Sequence, residues 1–296
     1  MNKKKRLFLL ILLPILLVSI ILLSIYFYIS TTAITVSPPI YEEINSSKND
    51  SQSVINKTYY KIPKSLPRNN IQEKDLRPKV AIIIDDLGYD SDLAFSFLNL
   101  NLELSFSILP SAPFTDIIVR GANNKGREII LHQPMEPKDY PSVDPGRGAL
   151  FLSMNERDIL QVLNKNLKEI RGAKGVNNHM GSSFTENREK MQVILQELKK
   201  RGLFYVDSRT TMRTVGFEQA KKIGLPAAER TLFLDNSLDP KAISGQIERL
   251  LEIAGNFGSA IGIGHPSNET LETLEKYQNR LREEVDVVPV SELVAK

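Results

Sequence analysis

With 296 residues the chain has room for one barrel-sized domain and additional segments, but not for two full-sized domains. Four of its basic residues, Lys3, Lys4, Lys5 and Arg6, more than account for the formal charge of +3; without them 34 basic residues face 35 acidic ones, so the body carries no electrostatic footprint for nucleic acid. The absence of cysteine excludes disulfides, Cys-ligated zinc and thiol nucleophiles, and only three histidines occur, His132, His179 and His265.

The first element is an uncharged run of 24 residues, Leu7–Ser30, dominated by Leu and Ile. At about 1.5 Å per residue it is long enough to span a hydrocarbon core of roughly 30 Å, and Pro14 is tolerated in such a helix. The basic cluster precedes the run. The positive-inside rule therefore predicts a single-pass membrane anchor over residues 1–30, with a cytoplasmic amino terminus and the rest periplasmic or extracellular. A cleaved signal peptide is the alternative, but its apolar region is usually about 7–15 residues long and ends in a small-x-small site, for which Ser30–Ala33 is a poor match. Residues 31–78 are rich in Ser, Asn, Lys and Pro without a sustained period and read as a flexible polar linker.

From residue 79 short apolar or β-branched runs alternate with amphipathic stretches, the pattern of βα units. The predicted strands are Val80–Asp86, Leu102–Leu109, Arg127–His132, Gly175–His179, Leu203–Asp207, Thr231–Asp235, Ala260–His265 and Val285–Val290. Between them, Ser153 and Glu156 form a capping-box pair ahead of Ile159, Leu160, Leu163, Leu167 and Ile170. Met191, Ile194, Leu195 and Leu198 make a second helical stripe, ended by Gly202. Asp239 before Pro240 reads as an N-cap to a helix carrying Ile243, Ile247, Leu250, Leu251 and Ala254, with Gly255 as its stop. Leu271, Leu274 and Leu281 line a last helix. Seven or eight such units, with near-continuous apolar strands such as Ile82–Ile84, predict an α/β fold, a distorted (β/α)7–8 barrel over residues 79–296. A doubly wound open sheet is the alternative, because strand order is not readable from the sequence.

In both architectures chemistry sits at the carboxyl ends of the strands. His132, His179 and His265 all fall there, as do Asp85, Asp86, Asp207 and Asp235. Adjacent carboxylates leaving a strand point to opposite sides, so one of Asp85 and Asp86 can bind a metal while the other faces the reacting centre; a turn with helix capping explains the pair equally well. Asp86 with His132 and His179, on three strand ends, makes a ligand set for a divalent metal, zinc by ligand type, with coordination positions left open for water and substrate. His265 is either a general acid or a third histidine ligand. Asp207 and Asp235 orient histidines or bind sugar hydroxyls, or Asp207 pairs with Arg209 structurally. The polar run Asn177–Ser182 reads as site lining. No Walker loop, nucleophile elbow or dinucleotide fingerprint is present, so no nucleotide cofactor is expected.

Five segments in order, Val80–Gly88, Leu131–Pro137, Gly175–Ser182, Tyr205–Arg209 and Ile261–Pro266, resemble the divergent polysaccharide deacetylases, the YibQ-like branch of the NodB-type carbohydrate esterases. The resemblance covers about residues 79–294. It implies a distorted (β/α)7-type barrel and hydrolysis of N-acetyl groups on an exported or cell-envelope polysaccharide by metal-activated water. It further implies Asp86 as metal-binding carboxylate, Asp85 as base, His132 as first histidine ligand and His265 as late acid. Position 136 is Glu where the superfamily's His-x-x-x-His motif has its second histidine, and His179 is taken as the replacement. Asp207 is expected to assist catalysis, and Glu136, Asn178, Arg209 and Asp235 to bind substrate. Two rivals stand beside this reading: a non-catalytic envelope protein whose barrel mouth binds glycan or a partner, and a glycosidase using Asp207 and Asp235 as its carboxylate pair.

Overall fold

The computed structural model describes residues 77–294. The predicted anchor at residues 7–30 lies outside them, as does all but the end of the predicted linker; among the described residues no helix is long and apolar enough to cross a membrane.

Among the described residues nine parallel strands and seven α-helices follow one another, alternating except between the sixth and seventh strands. They run β1 (Lys79–Leu87), α1 (Ser91–Leu98), β2 (Ser105–Ile108), α2 (Thr115–Asn124), β3 (Glu128–Met135), α3 (Glu156–Glu169), β4 (Gly175–Met180), α4 (Arg188–Lys200), β5 (Phe204–Asp207), α5 (Gly216–Lys222), β6 (Ala227–Glu229), β7 (Leu232–Phe233), α6 (Pro240–Phe257), β8 (Ser259–Gly264), α7 (Asn268–Glu284) and β9 (Asp286–Val287). The sheet order is β6-β5-β4-β3-β2-β1-β8-β7, with β9 paired to the start of β1. That order is cyclic. A doubly wound sheet reverses direction at a switch point; this order does not, and the parallel sheet curls into a half-barrel.

The barrel does not close by a ladder: among the described residues no strand pairing joins β6 to β7. The chain itself crosses the seam, since only Arg230 and Thr231 separate these strands. Arg230 N donates to Asp207 O on β5 at 2.9 Å, and Thr231 N donates to Ile261 O on β8 at 2.8 Å. The predicted strand Thr231–Asp235 is therefore shortened to two residues, and β6 is one the sequence reading missed. The predicted strand Val285–Val290 is likewise reduced to Asp286–Val287, followed by a 3-10 turn at Val290–Glu292. In the other direction, β3 runs three residues past His132.

Side chains alternate across each strand. One set, including Ile82, Ile84, Phe106, Leu131, Val176 and Tyr205, packs with the helices in the large outer core. The other set, including Ala81, Ile83, Ile130, Val206, Ile261 and Ile263, fills the barrel interior below the site. Truncating a fully buried aromatic in the outer core, such as Phe97 to Ala, is expected to cost about 3–5 kcal/mol.

Candidate metal centre

Strand register brings the polar ends together. His132 pairs with Asn177, and Pro134 with His179, across β3 and β4, so His132, Asn177 and His179 share the interior side of neighbouring strands. Ile84 pairs with Gly264, which sets the residues that follow, Asp85 and His265, at one level of the mouth.

Asp86 departs from the alternation. The expectation that Asp85 and Asp86 face opposite sides assumed a regular extended backbone. Asp86 instead has φ of 56°, and the β1–β2 register is irregular between Ile84 and Leu87. Both carboxylates consequently face His132 Nε2, with Asp86 Oδ1 at 3.0 Å and Asp85 Oδ2 at 3.7 Å. A positive φ at a non-glycine residue costs on the order of 1–3 kcal/mol and is commonly found at functional sites. Neither carboxylate caps α1; Asp90 does, accepting from Leu93 N.

His179 completes the cluster. Its Nδ1 lies 2.7 Å from Asp86 Oδ1 and 3.2 Å from His132 Nε2. Asn177 decides how His132 presents itself. The amide nitrogen of Asn177 donates to the Asp85 carboxylate at 2.8 Å, which fixes the orientation of the amide. Its oxygen therefore accepts from His132 Nδ1 at 2.8 Å and from Ser107 Oγ at 2.7 Å. With Nδ1 carrying the hydrogen, a neutral His132 turns its Nε2 lone pair toward Asp86 and His179.

Three electron-pair donors thus converge, and the site asks for a cation. Asp86 Oδ1 is buried and makes no hydrogen bond of acceptable geometry, despite two imidazole nitrogens beside it. Burial opposes the charge on Asp86, yet contacts with His132 and His179 hold its carboxyl well below the ordinary range. Burial likewise opposes protonation of His132, but Asp85 and Asp86 more than offset it and raise its pKa. Ligands about 2.0–2.1 Å from a tetrahedral ion are roughly 3.3 Å apart, close to the 2.7, 3.0 and 3.2 Å found here. Asp86, His132 and His179 fit a divalent ion, and they are the one such group among the described residues.

His265 lines the same cavity of about 220 Å3 as the three donors, together with Asp85, Ser208 and Phe233. Asp235 orients it: Oδ1 faces His265 Nδ1 at 2.9 Å, and Oδ2 accepts from His265 N at 2.5 Å and Thr270 Oγ1 at 2.7 Å. Burial would lower the imidazole pKa, but Asp235, with Asp86 and Asp85 farther off, wins and lifts it to about 9. His265 is therefore charged at neutral pH and is not one of the three converging donors. Behind it lies the Phe233 ring, 5.6 Å between centroids, with the Arg230 guanidinium 3.6 Å from the Phe233 centroid.

Other predicted site residues are placed elsewhere or already committed. Asp207 is fully buried on the helix side of β5, where it accepts from Arg209 N, Thr214 Oγ1 and Phe217 N. It braces the start of α5 and does not reach the centre. The Arg209 guanidinium pairs with Glu229, not with Asp207. The Asn178 amide uses its full capacity inside the protein, accepting from Tyr205 Oη and Ser208 N and donating to Met180 O and Thr210 Oγ1. It borders the cavity as a brace of the β4 and β5 loops, with no bonding capacity left for substrate. Glu136 accepts from Leu152 N at 2.6 Å and pins the loop after β3. Asp235 serves His265 rather than substrate. With Asp207 on the helix side and Asp235 bonded to His265, these two do not face one another as the predicted glycosidase carboxylate pair.

Asn177 fell within the polar run read as site lining, but its role in holding both His132 and Asp85 was not foreseen. Alternation could have found it, because Asn177 and His179 are two apart on one strand and must share a side.

The family described as divergent polysaccharide deacetylase matches residues 82–294. A Haemophilus influenzae protein is 33% identical over 215 residues, covering 73% of this chain and 76% of its own length. Escherichia coli YibQ is 31% identical over 219 residues, covering 74% of this chain and 68% of its own. Both are named only as uncharacterized proteins. Among solved structures, an uncharacterized Agrobacterium tumefaciens protein has a TM-score of 0.71 at 24% identity, covering 74% of this chain and 89% of its own, and supports the fold alone.

Proposed function

The chain belongs to the divergent polysaccharide deacetylase family, and from that premise we propose that it is a metal-dependent hydrolase removing N-acetyl groups from acetamido sugars of an exported or cell-envelope polysaccharide. The observation that carries the reading is the convergence of Asp86, His132 and His179 beside Asp85 and the His265–Asp235 pair in one cavity. A divalent ion, zinc by donor type, would be held by Asp86, His132 and His179 and would supply Lewis-acid polarisation and a nucleophilic water at neutral pH.

The rest falls to the chain's own groups. Asp85, fixed by Asn177, accepts a proton from the attacking water as the new C–O bond forms at the acetamide carbon. His265, charged through Asp235, gives its proton to the departing sugar nitrogen as the C–N bond breaks, leaving acetate and a free amine. Asn177 keeps His132 in the tautomer that offers Nε2, and the Phe233 ring backs the acid imidazole. Anchoring through residues 7–30 would place the barrel outside the cytoplasm, where such a polysaccharide is found.

The non-catalytic reading draws on Glu136 standing where a second motif histidine is expected; His179 in the donor cluster supports the hydrolytic reading against it. Acetate release discriminates the two. Full chain incubated with zinc and N-acetylglucosamine oligomers should release acetate without shortening the chains, and Asp85→Asn should cut the rate about a hundredfold or more. Glycan binding with no acetate from any oligomer would favour the non-catalytic reading.

A further inference from the structure

A second cavity of about 190 Å3 shares Asp86 and His179 with the first and continues outward from the donor cluster. Tyr89, Leu109, Pro110, Pro134 and Pro145 supply its apolar walls, while Asp144 and Arg147 border it from the loop between β3 and α3. Arg147 is exposed and, among the described residues, makes no hydrogen bond or ion pair.

An unpaired arginine on a loose loop would be an ordinary solvated surface group. This loop is not loose. Gly148 O accepts from Gln133 Nε2 at 2.9 Å and from Asn166 Nδ2 at 2.8 Å, and Asn166 Nδ2 also reaches Gln133 Oε1 at 2.9 Å. Both amides are fully buried, on β3 and in the middle of α3, where polar side chains are costly unless satisfied. Among the described residues Asn166 Oδ1 has no hydrogen-bond partner. On the other side, Gly146 N donates to Asp144 Oδ1 at 2.9 Å. Arg147 thus sits between two glycines at φ 90° and 76°, and a Cβ on Gly148 would come within 2.7 Å of Asn166 Oδ1. Buried amides hold the backbone after Arg147 and the exposed Asp144 carboxylate holds it before, so the chain is fixed on both sides of one cation at the edge of the cleft. Asp144 lines the same cavity, but it lies beyond 4.0 Å for an ion pair with Arg147 and its Oδ1 is taken by Gly146.

We infer that Arg147 receives a carboxylate on the sugar next to the one held at the donor cluster, so that the protein selects an acidic glycan over a neutral one. The planar guanidinium fork matches a carboxylate, and the Tyr89 and proline faces suit the apolar faces of a pyranose. The inference rests on the proposed function for naming the ligand as an acetamido glycan.

The test is calorimetric binding of full chain, with zinc at low salt, to two tetrasaccharides. One is a neutral N-acetylglucosamine tetramer; the other has the same backbone with lactyl-ether carboxylates on alternate sugars. The acidic tetramer should bind about tenfold tighter. Arg147→Gln should bring the ratio to about one while leaving thermal unfolding unchanged, and Arg147→Lys should retain part of the preference. Equal affinities in the wild type, binding of neither glycan, or a preference that survives in Arg147→Gln would overturn the inference; the last would send the carboxylate to the metal. Binding is read independently of turnover. A charge preference without acetate release leaves this inference standing and removes the hydrolytic reading, and acetate release at equal affinities does the reverse.

Discussion

His265 shows how far one contact governs a side chain's chemistry. Its raised pKa of about 9 depends on Asp235, which bonds both its ring and its backbone. A folded-state pKa above the ordinary 6.5 contributes stability fully present below 6.5 and lost as pH rises through about 9. If His265 is the general acid, acetate release should fall along the same alkaline limb. In Asp235→Asn the limb should move down toward 6.5, and an NMR titration of the His265 ring should move with it; a limb left near 9 would remove His265 from the acid role. At this scale the sequence was partly legible. The position of every histidine after an apolar run marked the three imidazoles, and two of them meet Asp86. Whether a polar group faces the barrel or the helices was less legible. Asp207 and Asn178 sit at strand ends as expected, yet Asp207 is satisfied by the start of α5 and Asn178 by Tyr205 on β5 and the loop after it. The shared side of Asp85 and Asp86 required a left-handed residue that regular strand geometry does not foresee.

The helices were legible where an apolar stripe is long. Met191, Ile194, Leu195 and Leu198 are all buried on α4, and Asp239 caps α6 with Pro240 in its first turn, both as read. Ends were harder. Ser153 with Glu156 looked like the cap of α3, but Asn155 occupies that place and accepts from Asp158 N at 3.1 Å. Gly255 lies inside α6, whose last turn closes on Gly258 at φ 87°. Short elements escaped altogether: α1, α2 and α5 have few turns, and β6 is Ala-Ala-Glu, a weak strand former held by pairing with β5. The caps give a clean comparison. Asn155→Ala should lose about 1 kcal/mol, or about 2–4 °C in Tm, while Ser153→Ala should leave Tm where it is. Equal losses would return the cap to Ser153.

At the scale of the described body, alternation of strands and helices pointed to a parallel α/β fold, and the strand order curls it into a half-barrel. The open seam was not legible, because it arises from two residues bridging β5 and β8 rather than from any strand signal. Curling the sheet is what draws the ends of β1, β3, β4 and β8 to one mouth, so donors nearly a hundred positions apart in the chain become neighbours. The direct test of that convergence is the metal content of full chain purified without chelator and loaded with zinc. One ion per chain is predicted for the wild type and for Glu136→Gln, and loss of stoichiometric zinc for His132→Ala, His179→Ala and Asp86→Ala. A His179→Ala protein that still holds one zinc per chain would contradict the centre described here.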